Sequence, residues 1–228
     1  MGYTCTIVCL ANSRKPPSGR CIAGRVVTPS RYGEWIRPVS ERPTREISEE
    51  DRRYSDGTDP MLLDIIAITM IRPAPEHHQQ ENHLIDPDYY WQRMGALSPS
   101  DVEAAVEDPG GPLWLNGHSS SNGLNDQVPA AEAHAFVRSL YLIRPEELTL
   151  VVASEGGDFA PPRRRVRAKF QLHGEAYCLV VTDPQLERSC LARSDGQKAI
   201  QNALICVSLA EVFHGFAYKL AASVIVRE

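Results

Sequence analysis

The sequence predicts a mostly β protein built as two consecutive five-stranded barrels, the first carrying a long polar, partly helical insertion. Three observations carry that expectation. Apolar and polar residues alternate with period two near both ends of the chain, and no long helical period interrupts them. Three strand-like runs followed by a helical segment and then further strands occur twice. Inside the first set, ahead of its last strand, lies a polar stretch, residues 74–135, rich in His, Asn, Asp, Gly and Pro. A chain of 228 residues, 43% of them apolar, is enough for two small cores.

In chain order, strands are expected at 3–11, 20–29 and 34–39, separated by the turn-rich SRKPPSG and SRYG. Cys5 and Cys9 share a strand face with Tyr3, Ile7 and Ala11 and read as small apolar core residues. Ser48 followed by Asp51 suits the capped start of a short helix. MLLDIIAITMI, residues 61–71, is a short β-branched run stopped by Pro73 and Pro75, as a buried strand would be. Inside the polar stretch, 99–107 is a helix candidate with Ser98 as its cap and Pro109 at its end. A strand at 139–143 is expected to complete the first sheet. The second set places strands at 147–154, 163–172 and 175–182, a helical segment between 184 and 202, and strands at 204–210 and 216–226. The boundary then falls near Pro145, giving units of 1–144 and 145–228. Five strands with a helix after the third is the order of the OB fold, which binds oligonucleotides or oligosaccharides on its second and third strands.

The net charge of −5 conceals an uneven distribution. Residues 1–60 hold ten Lys and Arg against eight Asp and Glu, for +2. Residues 161–228 hold ten against six, for +4, and residues 61–160 hold four against fifteen, for −11. A polyanionic ligand is therefore expected at the two ends. No apolar run approaches the roughly 18 residues of a membrane span. The opening MGYTCTIVCL has neither a basic leader nor a signal-cleavage pattern, so no membrane association and a cytoplasmic location are expected. The six cysteines show no CxxC or CxxH spacing, so no metal and no cofactor is expected.

Four segments, YTCTIVCLANSRKPPSGRCIAG, HHQQENHLID, LWLNGHSSSNGLNDQVP and VSLAEVFHGFAYKLAASVIV, together resemble the bacterial dual OB-containing domain family. The resemblance implies two OB barrels in tandem and recognition of nucleic acids or nucleotides, in a bacterial conflict or defence system. It implies no catalytic residues.

The residues themselves offer four candidate sites. In RRRVRAKF, strand alternation sets Arg163, Arg165, Arg167 and Lys169 on one face at intervals of about 6.6 Å, a spacing suited to the phosphates of an extended single strand. A solvated edge strand has the same pattern. Arg14, Lys15 and Arg20 surround a Pro-Pro-Ser-Gly tip, with Tyr32 and Trp35 nearby as stacking rings, although Trp35 equally suits a barrel core. His78 and Glu81, three apart within EHHQQENH, suit an acid and base pair, and His77, His83 and Asp86 suit a curled metal loop; a polar surface turn is the plainer reading. Asn82, Asn116, Ser119, Ser120, Asn125 and Asp126 compose a possible ligand loop or an ordinary long connection. No phosphate-binding P-loop, dinucleotide fingerprint or nucleophile elbow is present. The expected function is non-catalytic binding of single-stranded nucleic acid or nucleotides. The alternatives are a nucleotide- or modified-base-processing enzyme and an adaptor with a protein partner.

Overall fold

Alternation in YTCTIVCL turns Ile7 and Cys9 into a core that also takes Ile22, Ile36, Ile47, Ile66, Ile68 and Trp91. The computed structural model describes residues 2–29, 32–157 and 160–227, so Ser30 and Arg31 of the expected SRYG turn lie outside the described residues. The chain divides into two units. One runs to Ala105 and includes Val137–Ser139; the other takes Val106–Phe136 and the chain from Leu140 onward.

The first unit contains β1 (Tyr3–Lys15), β2 (Gly19–Val27), β3 (Tyr32–Val39), α1 (Glu49–Arg52), β4 (Asp64–Pro73), β5 (Asn82–Ile85) and β6 (Gln92–Ala96). Its strand order is β1-β2-β3-β5-β4, and β4 pairs back onto β1, closing a five-stranded barrel with β6 added beside β4. β3 and β5 run parallel, whereas the other pairs are antiparallel. The short α1 begins as expected: the Ser48 side chain accepts from the Asp51 amide and the Asp51 carboxylate accepts from the Ser48 amide. At the helix exit Tyr54 turns inward and donates to the buried Asp64 carboxylate at 2.9 Å, while Arg93 pairs with the other oxygen at 2.8 Å. The candidate helix at 99–107 is a 3-10 turn, Asp101–Ala105.

The fifth strand of this barrel differs from the expectation. It is Asn82–Ile85, a four-residue strand in the middle of the cluster read as a loop. The strand expected to fill that place, now Leu140–Ile143, pairs with the second sheet instead. A strand of four residues, entered through a tight polar turn, is too short to show alternation.

The second unit contains β7 (Gln127–Pro129), α2 (Ala130–Ala133), β8 (Leu140–Ile143), β9 (Leu148–Gly157), β10 (Ala160–Leu172), β11 (Glu175–Val181), α3 (Pro184–Leu191), β12 (Gly196–Ala199), β13 (Ala203–Phe213) and β14 (Phe216–Val226). The five long strands take the same order, β9-β10-β11-β14-β13, again with the third and fifth parallel. β12 extends the sheet beyond β9, β8 extends it beyond β13, and β7 pairs with β14. Its core holds Val166, Ala168, Phe170, Tyr177, Leu179 and Val181 among others. The polar stretch is thus not one insertion in the first barrel, since the part after Ala105 packs with the second unit. Among the described residues no helix is long and apolar enough to cross a membrane.

Candidate functional site

β10 presents Val166, Ala168, Phe170 and Leu172 to the core, so Arg165, Arg167, Lys169 and Gln171 face outward, as the alternation predicts. Their surroundings then separate them. Arg167 is 8% exposed. Its Nε and Nη2 donate to the two Glu155 oxygens at 2.6 and 3.0 Å, and its Nη1 lies 3.6 Å from the Asp126 carboxylate. Arg165 is half-buried, its Nε 3.9 Å from Glu155. Arg164 donates to Asp195 at 2.7 Å and to the Leu191 carbonyl at 2.8 Å. Only Arg163 and Lys169 of this strand are exposed without an ion pair among the described residues. The row of four cations is reduced to its two ends.

Lys169 stands in a groove of about 500 Å³ on the outer face of β9, β10 and β11. Across the sheet it is flanked by Thr149 on one side and Cys178 on the other, and the next row is Gln171 beside Ala176. One wall is the segment 121–124, which joins the sheet where Leu124 and Cys178 exchange backbone hydrogen bonds of 3.3 and 3.0 Å. Gln197 of β12 lines the opposite side, and Glu147 also lines the groove.

The expected ligand loop explains that wall. Asp126 is buried and accepts from the Ser120 amide at 2.7 Å and its hydroxyl at 2.5 Å. Asn125 receives the Gly117 amide at 2.9 Å, donates to the Ala176 carbonyl at 3.0 Å, and its own amide donates to Ser119 at 2.9 Å. Asn116 donates to the Tyr177 hydroxyl at 3.1 Å. These side chains hold the loop to the second unit, and the groove falls to their neighbours. Asn82 is elsewhere, buried in β5.

Lys219 anchors the same segment. It is 1% exposed, and its Nζ donates to the Leu115 carbonyl at 2.7 Å and to Asn116 Oδ1 at 2.9 Å, over the Tyr177 ring. Desolvation pulls its pKa down from 10.5 to about 7, only partly opposed by the Asp126 charge. Between those values the unfolded lysine keeps a proton that the folded one has shed, so stability should rise with pH across that window, while below it the full penalty remains. Lys219→Met is expected to remove this rise. The difference between wild-type and variant urea midpoints, followed from neutral to alkaline pH, measures it.

The other candidates are occupied differently. Glu81 is buried against Arg37, 3.0 Å away, and also receives the Ser139 hydroxyl. His78 is buried in the same turn, and His83 engages the Tyr3 hydroxyl. In the first barrel, Trp35 is 7% exposed with the Arg25 guanidinium 5.7 Å from its ring centre, and Tyr32 donates its hydroxyl to the Asp101 carbonyl at 2.9 Å. The Trp35 ring is therefore not an open stacking face, and Tyr32 is half-buried. Arg14 and Arg20 are half-buried and directly opposite each other in the β1–β2 hairpin, and Lys15 faces Gly19. The most exposed rings among the described residues of this unit are Tyr89 and Tyr90, with Arg53 5.9 Å from Tyr90, a pairing the sequence reading passed over. It also missed the groove residues Thr149 and Gln197, whereas Asn122 belongs to the polar run after Trp114 that it singled out. Gln171 was accessible to it, as the next outward position after Lys169.

A family model described as the dual OB-containing domain matches residues 5–224. Among solved structures, the crystal structure of the tetrameric p202 HIN2 aligns over 100% of this chain and 96% of its own, with 10% identity and a TM-score of 0.30. No curated protein sequence matches the chain.

Proposed function

The chain belongs to the dual OB-containing domain family, and on that premise we propose that it binds single-stranded nucleic acid or a nucleotide, without catalysis, in the groove of the second unit. In this proposal the two OB modules of the family correspond to the two units. The observation that carries the reading is the position of the groove. It lies on the second and third strands of the five-strand order, the face that OB barrels use for oligonucleotides, and it holds an exposed lysine among amide and hydroxyl side chains. An enzyme based on His78 and Glu81 is less well supported, because the Glu81 carboxylate is already engaged by a buried guanidinium and a hydroxyl.

The test is fluorescence anisotropy with labelled single-stranded DNA and RNA, with free nucleotides as competitors. Wild-type protein should bind at low salt. Lys169→Ala should weaken binding about tenfold or more, as expected for losing one charge-assisted contact of roughly 1.5–3 kcal/mol. Equal affinity in the variant, or no binding by the wild type, would remove the groove from consideration.

A further inference from the structure

We infer that the groove takes a single ribonucleotide and not a track of polynucleotide, an inference that rests on the binding reading above. The charge around Lys169 sets this limit. One step along β10 from Lys169, the outward side chain is Arg167, whose charge is shared between two carboxylates, Glu155 and Asp126. Arg165, 3.9 Å from Glu155, completes a cluster of two guanidinium groups and two carboxylates, so a second phosphate placed there finds both cations already matched. In the other direction the outward side chain is Gln171, and the nearby groove charge is Glu147. Among the described residues of this strand, the next exposed cation without an ion pair is Arg163, six residues from Lys169 and about 20 Å along the strand. One phosphate therefore has a partner and its neighbours do not.

The rest of the groove has the parts a nucleotide needs. Lys169 faces Thr149, so Glu147 lies two strand residues away, about 6.6 Å along β9. A carboxylate at that distance from the phosphate partner suits a ribose diol, as acidic residues do in dinucleotide sites. Asn122, Gln171 and Gln197 offer amide donors and acceptors for a base edge. Leu124 and Ala176 are exposed apolar surface on the same side, a flat contact for one base. Among the described residues that line the groove, no open aromatic ring continues that contact into a stacking series. The two rings that line the groove, Phe170 and Tyr177, are buried and stacked on each other with centroids 5.2 Å apart. A volume of about 500 Å³ lies within the range of about 300–1,000 Å³ typical of small-molecule sites.

The experiment is a competition series with ribonucleoside 5′-monophosphates, their deoxy counterparts and single-stranded homo-oligomers of increasing length, each at low and moderate salt. The inference expects affinity per binding frame to stay within about threefold from monomer to oligomer. It expects the oligomers to show a salt slope near 0.7, the value for one phosphate of a single strand. Lys169→Ala should lower affinity at least tenfold and flatten that slope. Glu147→Gln should lower ribonucleotide affinity to that of the deoxy counterpart, so that the preference for ribose over deoxyribose is lost. Affinity that climbs more than tenfold with length, with a slope of two or more, would overturn the inference and leave the binding proposal intact. If no monomer and no oligomer binds, the underlying proposal fails and the inference fails with it.

Discussion

Glu81→Ala should destabilise the first unit by about 3–5 kcal/mol, the usual consequence of removing one partner from a buried ion pair. Arg37 is 2% exposed, and its Nη2 divides its hydrogen bonding between Glu81 and the Ser139 hydroxyl, 2.7 Å away. The backbone adds to the coupling, because the Arg37 amide donates to the Glu81 carbonyl at 2.8 Å where β5 lies against β3. Without the carboxylate, the guanidinium stays buried and loses the negative group 3.0 Å from it. Urea unfolding followed by tryptophan fluorescence measures the loss. Replacing both residues by apolar side chains of similar volume should cost much less than the two single changes together, since the desolvation of both charges is relieved. An enzyme using Glu81 as a general acid or base gives the opposite pattern: Glu81→Ala keeps its fold and loses turnover by roughly 10²–10⁴. An unchanged unfolding midpoint for Glu81→Ala would contradict the structural assignment.

Arg167→Ala is expected to act on stability in the same range, about 3–5 kcal/mol, and not chiefly on phosphate binding. The arginine satisfies Glu155 through a two-pronged contact and stands beside Asp126, and both carboxylate side chains are largely buried. Its removal takes the ion pair from Asp126, leaves Glu155 only the 3.9 Å contact with Arg165, and frees the wall segment that Asp126 closes through Ser120. Hydrogen exchange should show lost protection at the Ser120 and Cys178 amides together with a lowered unfolding midpoint. Arg163→Ala, on the same strand but exposed, should change stability by no more than about 0.5 kcal/mol. If the two arginines behave alike, Arg167 is a solvated cation and the ion-pair account is wrong.

The long strands were legible because alternation and β-branching recur over many residues, and 216–226 was expected with the bounds it has, Phe216–Val226. The same signal set the outward face of β10. What alternation cannot report is the partner that an outward side chain meets. Asp126, which engages Arg167, is forty-one residues earlier in the chain, in a segment whose local composition does not say which sheet it joins. The same limit moved Leu140–Ile143 from one sheet to the other, since a strand four residues long can complete either. Within EHHQQENH, the residue types suit catalysis or a tight turn equally well, and the decisive fact was again distant: Arg37 lies on β3. Trp35 shows the ambiguity at a single position, because its neighbour Ile36 is in the barrel core while Trp35 is buried on the other side of the strand.

The most direct measurement of the central claim is photo-crosslinking with a thio-substituted nucleotide and a short single strand carrying the same base, followed by peptide mapping. The account predicts adducts within 121–124 or 169–178, both lost in Lys169→Ala. Adducts confined to the first unit, at Tyr89 and Tyr90 or on the hairpin that holds Arg14 and Arg20, would contradict it.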